Sequence, residues 1–250
     1  MARVVGNPAR SHFPIRMIDA VAAAAALVDE IESLAKARAA SGGRLVVGLP
    51  TGRTPVALYA EWVRRTREGS DALRRVVTFN LDEFVGIDAE HPAACRSYMK
   101  KHLFEPLGLA PEATHFPDAA NLAAYERAIV AAGGIDLQIV GIGRNGHVGF
   151  NEPGSPRDSR TREVALARTT REDAAAAFGG LDRVPTRGVT VGIATILAAK
   201  RIRVLAFGPA KAAIVREACS ARMGPELPVT WLRDHADVRL IVDADAAGER

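Results

Sequence analysis

The sequence predicts an α/β protein: one open, mostly parallel sheet with helices on both faces. Three observations carry this. Residues 44–49, 76–81, 135–140, 202–207 and 238–242 are short, nearly continuous apolar runs, the pattern of strands buried on both sides. Segments of helical pattern at 17–40, 56–66, 95–103, 121–132 and 171–178 alternate with them, as βα units of a parallel sheet do. Turns rich in glycine or threonine follow three of the strands, at 50–55, 141–146 and 208–211, where open α/β sheets hold their ligands.

In chain order, residues 1–16 lack periodicity and are expected as an edge strand or extended arm. The alanine-rich helix over 17–40 is closed by Ser41, Gly42 and Gly43. After the strand at 44–49 comes Pro50-Thr51-Gly52-Arg53-Thr54-Pro55. Here Thr54 is placed to cap, and Pro55 to open, the helix over 56–66. Such a junction points free N–H groups and the positive helix end at the turn, which makes an anion site. The turn is neither a P-loop nor a dinucleotide fingerprint, so the anion expected is a phosphate on a small substrate.

The strand at 76–81 delivers Asp82 and Glu83 at its end. Side chains alternate along a strand, so only one of the two faces the pocket directly; the competing reading is that such acids cap the next turn. A carboxylate there is well placed for proton transfer at carbon. The strand at 135–140 then opens into Gly141-Ile-Gly-Arg-Asn-Gly-His-Val-Gly-Phe-Asn-Glu-Pro153. Three glycines in six residues allow close backbone approach to a ligand. His147 brings a side chain that titrates near neutral pH, and Asn145 and Glu152 could orient it. Residues 155–170 are polar and rich in arginine, long for a connection, and read as a lid-like segment extending to about 180. A short buried helix over 192–199 precedes the strand at 202–207. Gly208-Pro209-Ala210-Lys211 then repeats the strand–glycine–helix junction with a lysine suited to an anion.

Composition narrows the function classes. With 250 residues, 48% hydrophobic and 25% charged, the chain reads as one ordinary globular domain over 1–250. Its net charge of +4 is spread rather than clustered, which disfavours nucleic acid as a partner. No segment resembles a signal peptide or a membrane span. Cys95 and Cys219 make no disulfide framework, so a reduced cytoplasm is expected. The six histidines form no ligand-spaced cluster with the cysteines, and neither a metal nor a redox cofactor is expected. Monomer and homo-oligomer both remain open.

The stretches 49–55, 76–86, 141–153, 184–192 and 208–211 together resemble the glucosamine-6-phosphate deaminase/isomerase family, a sugar-phosphate isomerase type of Rossmann-like fold. The resemblance runs in order from about residue 44 to 242. It implies a phosphorylated amino sugar as substrate, with isomerisation to fructose 6-phosphate and release of ammonia. Asp82 resembles the enolisation base, His147 the ring-opening acid/base, and Asn145 and Glu152 the residues that tune it. Thr51, Gly52, Arg53, Thr54 and Lys211 match phosphate contacts. The family's phosphate arginine in the helix after the lid falls at Ala176 here. Arg53, standing where glycine is common in the family, is expected to take its place, with Arg171 as the fallback. Val164 replaces an effector-site lysine and the chain ends soon after its last strand, so hyperbolic kinetics are expected. Two alternatives stand beside this reading: a 6-phosphogluconolactonase-type hydrolase on the same fold, and a sugar-phosphate sensor without catalysis.

Overall fold

The structure, a computed structural model, describes residues 12–249; of the edge strand or arm expected over 1–16, residues 1–11 lie outside the described residues. The chain runs β1 (Ile15–Met17), α1 (Ala20–Ala40), β2 (Leu45–Leu49), α2 (Val56–Arg67), β3 (Val76–Asn80) and β4 (Asp82–Phe84). Helix α3 (Cys95–Met99) continues through a π-helical stretch, Lys100–Phe104, into α4 (Glu105–Leu107). Next come β5 (Thr114–His115), α5 (Leu122–Ala131), β6 (Leu137–Gly141), β7 (Arg162–Ala165), α6 (Arg168–Phe178) and β8 (Arg187–Thr190). The chain closes with α7 (Ile193–Leu197), β9 (Ile202–Ala206), α8 (Ala212–Ser220), β10 (Val238–Val242) and α9 (Ala244–Ala247).

Seven strands form one parallel sheet in the order β1-β10-β9-β6-β2-β3-β5. Its two faces are separate cores, as the nearly continuous apolar runs require. Leu45, Val47 and Leu49 of β2 pack with α1 and α2 through Leu27, Ile31, Leu58 and Trp62. Val46 faces the other way, into the core built by Ile129, Ile214 and Val204. Each such aliphatic side chain fully withdrawn from water contributes about 1.5–3 kcal/mol.

A second sheet, three antiparallel strands in the order β4-β8-β7, was not foreseen. Leu81 is the pivot between the sheets. Its N–H donates to the Leu49 carbonyl at 3.1 Å, and its own carbonyl accepts from Val191 at 2.8 Å. The chain therefore leaves β3 and enters β4 without a turn, and Asp82 comes to lie opposite Thr190.

Three boundaries differ from expectation. Met17 belongs to β1, paired with Val242, and α1 begins at Ala20 because the Asp19 carboxylate accepts from the N–H groups of Val21 and Ala22. At α2 the cap position falls on Pro55 with no side-chain bond, so Thr54 does not cap that helix. The polar connection after residue 155 carries β7 and the start of α6, and it is fastened down. Glu126 accepts from Thr161 N–H at 2.9 Å and from the hydroxyls of Thr161 and Thr195, each at 2.6 Å. Among the described residues no helix is long and apolar enough to cross a membrane.

Candidate active site

Sheet order gathers the loops. Strands β3, β2, β6 and β9 are consecutive neighbours running the same way. The segments that follow them (81–84, 50–55, 142–153 and 207–211) therefore emerge side by side at the carboxyl edge, where such sheets form their crevices.

Asp82 opens β4 and is buried. Burial, reinforced by the neighbouring Glu83 charge, pushes its carboxyl from 3.8 up to about 7, against a small opposing effect from the Cys95 thiol. Gly149, at φ +59°, presses against it: a Cβ there would lie 3.2 Å from Asp82 Oδ2 and 2.9 Å from Thr190 Oγ1. Backbone without a side chain is what lets the glycine-rich loop reach the carboxylate. Glu83 goes elsewhere, as strand alternation demands. Its carboxylate accepts from the N–H groups of Phe84, Cys95 and Arg96 at 2.9, 3.0 and 2.9 Å, and so caps α3.

His147 is set by a tight loop in which the Gly143 N–H donates to the His147 carbonyl at 3.0 Å. Its ring lies against Gly143, where a Cβ would be 2.1 Å from Cε1. Nδ1 is 3.6 Å from Glu152 Oε2 and 3.1 Å from the Thr170 hydroxyl. That hydroxyl donates its one proton to Glu152 Oε1 at 2.6 Å. Toward the ring it can only accept, so in the neutral imidazole Nδ1 carries the proton and Nε2 keeps the lone pair. Asn145 acts through the carboxylate and the loop: its amide donates to Glu152 Oε2 at 2.8 Å, and its carbonyl accepts from the His147 N–H at 3.3 Å. Burial raises the Glu152 carboxyl, but the bonds from His147, Thr170 and Asn145 outweigh it and leave the group below the ordinary carboxylate range.

The third wall is cationic. Lys211 donates to the Ile142 carbonyl at 2.7 Å, which ties the turn after β9 to the glycine-rich loop. Burial pushes its ammonium down; Asp173 counters this, while Arg53 and Arg144 add to it. Gly52 takes φ +97°, and its carbonyl accepts from the Tyr98 hydroxyl at 2.6 Å. Arg53 is exposed at the tip of this turn. Arg171 is directed away, donating to the carbonyls of Leu181 and Val184 at 3.1 and 3.3 Å.

The family model described as glucosamine-6-phosphate isomerases/6-phosphogluconolactonase matches residues 18–241. The chain belongs to this family. A glucosamine-6-phosphate deaminase of Hahella chejuensis is 44% identical over 209 residues, spanning 82% of this chain and 80% of that protein. Another, from Shouchella clausii, is 41% identical over 210 residues, with 82% and 85% covered. Among solved structures, a monomeric glucosamine-6-phosphate deaminase superposes with a TM-score of 0.86 at 33% identity, covering 95% of this chain and all of that one. A 6-phosphogluconolactonase from Leishmania guyanensis gives 0.74 at 21% identity over 94% and 97%, which shows a shared fold alone.

Within this family frame, three site residues escaped the sequence reading. Thr170 arrives on the first turn of α6, and nothing local marks it. Arg144 stands inside the glycine-rich loop, paired with Asp173 at 2.7 Å; its charge beside the loop was legible but not its direction. Cys95 entered the sequence reading only as one of two cysteines that make no disulfide framework.

Proposed function

We propose that the chain converts glucosamine 6-phosphate and water to fructose 6-phosphate and ammonia. The phosphate is met by the Thr51-Gly52-Arg53-Thr54 turn and Lys211, through backbone N–H groups and cationic side chains. His147, held as the Nδ1–H tautomer, moves a proton at the ring oxygen through Nε2 and opens the pyranose. Glu152 stabilises the charged ring that forms, and Asn145 and Thr170 hold Glu152 in place. Asp82 then takes the proton from C2 and returns it to C1. The resulting C2 imine adds water and releases ammonia, leaving the ketone.

The observation that carries this reading is the buried Asp82 carboxylate with the His147-bearing glycine-rich loop packed against its Oδ2 at Gly149. A buried carboxylate set near neutral pH suits carbon-acid chemistry, where a base must alternate between its forms. Lactone hydrolysis needs no such group. The reading places the enzyme in the cytoplasm, where its free cysteines stay reduced. The test is incubation of the purified protein with glucosamine 6-phosphate, with ammonia and fructose 6-phosphate assayed together. Equimolar appearance of both is expected. Acid from 6-phosphogluconolactone without ammonia from the amino sugar, or binding without turnover, overturns it.

A further inference from the structure

A buried thiol stands between the phosphate turn and the base, and the reaction as derived does not use it. Cys95 opens α3 and is 3% exposed. Its Sγ lies 3.7 Å from Asp82 Oδ1 and 3.4 Å from Thr51 Oγ1. Both ends of its helix are fastened to the site. Glu83, the residue after the base, accepts from the Cys95 N–H, and Tyr98, one turn later, donates to the carbonyl of Gly52. Burial, then the charges of Asp82 and Glu83, raise this thiol well above its ordinary range. It stays protonated and serves as a donor, not a nucleophile. The ionised Asp82 carboxylate accepts only, so in that form the single S–H proton goes to Oδ1 and the Thr51 hydroxyl donates to sulfur.

We propose that Cys95 is a positioning residue for the base: its S–H holds Asp82 Oδ1, which turns Oδ2 toward the glycine-rich loop and ties the carboxyl to the phosphate turn through Thr51. The proposal rests on Asp82 being the base. Gly149 marks the direction, since the Asp82 oxygen nearest the space above its Cα is Oδ2, 3.2 Å from a Cβ placed there. A donor to the ionised form also eases ionisation of a carboxyl that burial opposes.

The experiment is the pH profile of kcat/KM for the parent, Cys95→Ala, Cys95→Ser and Asp82→Asn. Loss of a weak neutral donor should move the acid limb of Cys95→Ala up by roughly half a pH unit, about threefold in rate below the limb and nothing on the plateau. Cys95→Ser keeps an X–H donor and should lie between parent and Ala. A loss of equal size at every pH, no change, or Ser behaving as Ala means that the thiol only fills space. Should both variants fold poorly, the parent alone decides. Its S–H stretching band should shift as Asp82 titrates, and a band indifferent to pH overturns the proposal. The Asp82→Asn arm separates the two claims. If it stays active, the base assignment fails; if it is inactive while Cys95→Ala keeps the parent profile, the thiol's role alone fails.

Discussion

Asp82 and Glu152 are carboxylates of one site and are buried to nearly the same degree, 6% and 9% exposed. Asp82 receives a single thiol donor at 3.7 Å and has a second acid beside it in the chain. Glu152 accepts from Thr170, Asn145 and the Ala167 N–H, and faces the His147 ring. One carboxyl is pushed up to about 7 and the other is held below its usual range. Burial by itself therefore does not assign a role. The number of donors aimed at the buried charge distinguishes them, and it fits the proposed division between a proton-transferring base and an anion that faces a histidine.

The largest effect should come from removing the base. Asp82→Asn should lose roughly a hundred- to ten-thousandfold in kcat, the usual scale for one acid–base group, and retained solvent exchange of the C2 proton would break the assignment. The same substitution should stabilise the fold. A carboxyl raised from 3.8 to about 7 contributes stability below its unfolded value and loses it as pH rises through 7. Asparagine has no proton to lose, so above about pH 8 the variant should unfold later than the parent, by at most about 4 kcal/mol. The gap should close toward about pH 4. Thermal denaturation at several pH values reads this.

Glu152→Gln should show the opposite sign. Its folded-state value is depressed, so its contribution is present above the ordinary glutamate range and fades as pH falls below it. The variant should lose stability at neutral pH and approach the parent in acid. With the charged partner of His147 gone, kcat should fall about ten- to a hundredfold. Equal and same-signed stability curves for the two variants would dissolve the contrast.

The sheet was legible because strands buried on both faces must be largely apolar: β2 is so throughout, and β6, β9 and β10 are broken only by Gln138, Arg203 and Arg239. The second sheet was not. Its strands have three or four residues, β4 begins Asp-Glu, and their pairing joins residues far apart in sequence. Met17 read as helix because its apolar side chain fits either period; pairing with β10 decides it. At the site, the strand-end positions of Asp82 and His147 were readable from the turns. Of the partners of His147, Glu152 was readable within the same loop, but Thr170 was not, since it comes from α6 and is one polar residue among many.

The phosphate end tests whether charge count matters outside the carboxylate pair. Lys211 is half-buried and engaged with the Ile142 carbonyl, whereas Arg53 is exposed. Arg53→Gly should lower kcat/KM on glucosamine 6-phosphate about tenfold or more, the worth of one charged bond to phosphate. Arg171→Ala should leave substrate affinity alone, because its guanidinium holds the carbonyls of Leu181 and Val184. A change below about threefold for Arg53→Gly, under 1 kcal/mol, would mean that the turn binds phosphate through its backbone.

The smallest effect is the most pointed. The Thr170 hydroxyl gives its proton to Glu152 and accepts from His147 Nδ1, so it fixes which ring nitrogen is basic. Thr170→Val keeps the shape and removes this link. Glu152 Oε2 still faces Nδ1 at 3.6 Å, which preserves much of the tautomer preference. The loss in kcat should therefore be about three- to tenfold, the scale of one neutral hydrogen bond. Thr170→Ser, with the hydroxyl restored, should recover most of it. The loss should fall on the pyranose and spare the open-chain form, since in the proposed reaction only ring opening needs the histidine. A deficit of the same size on both forms would place Thr170, and with it Glu152, in the service of Asp82's step, and the two carboxylates would no longer divide the reaction between them.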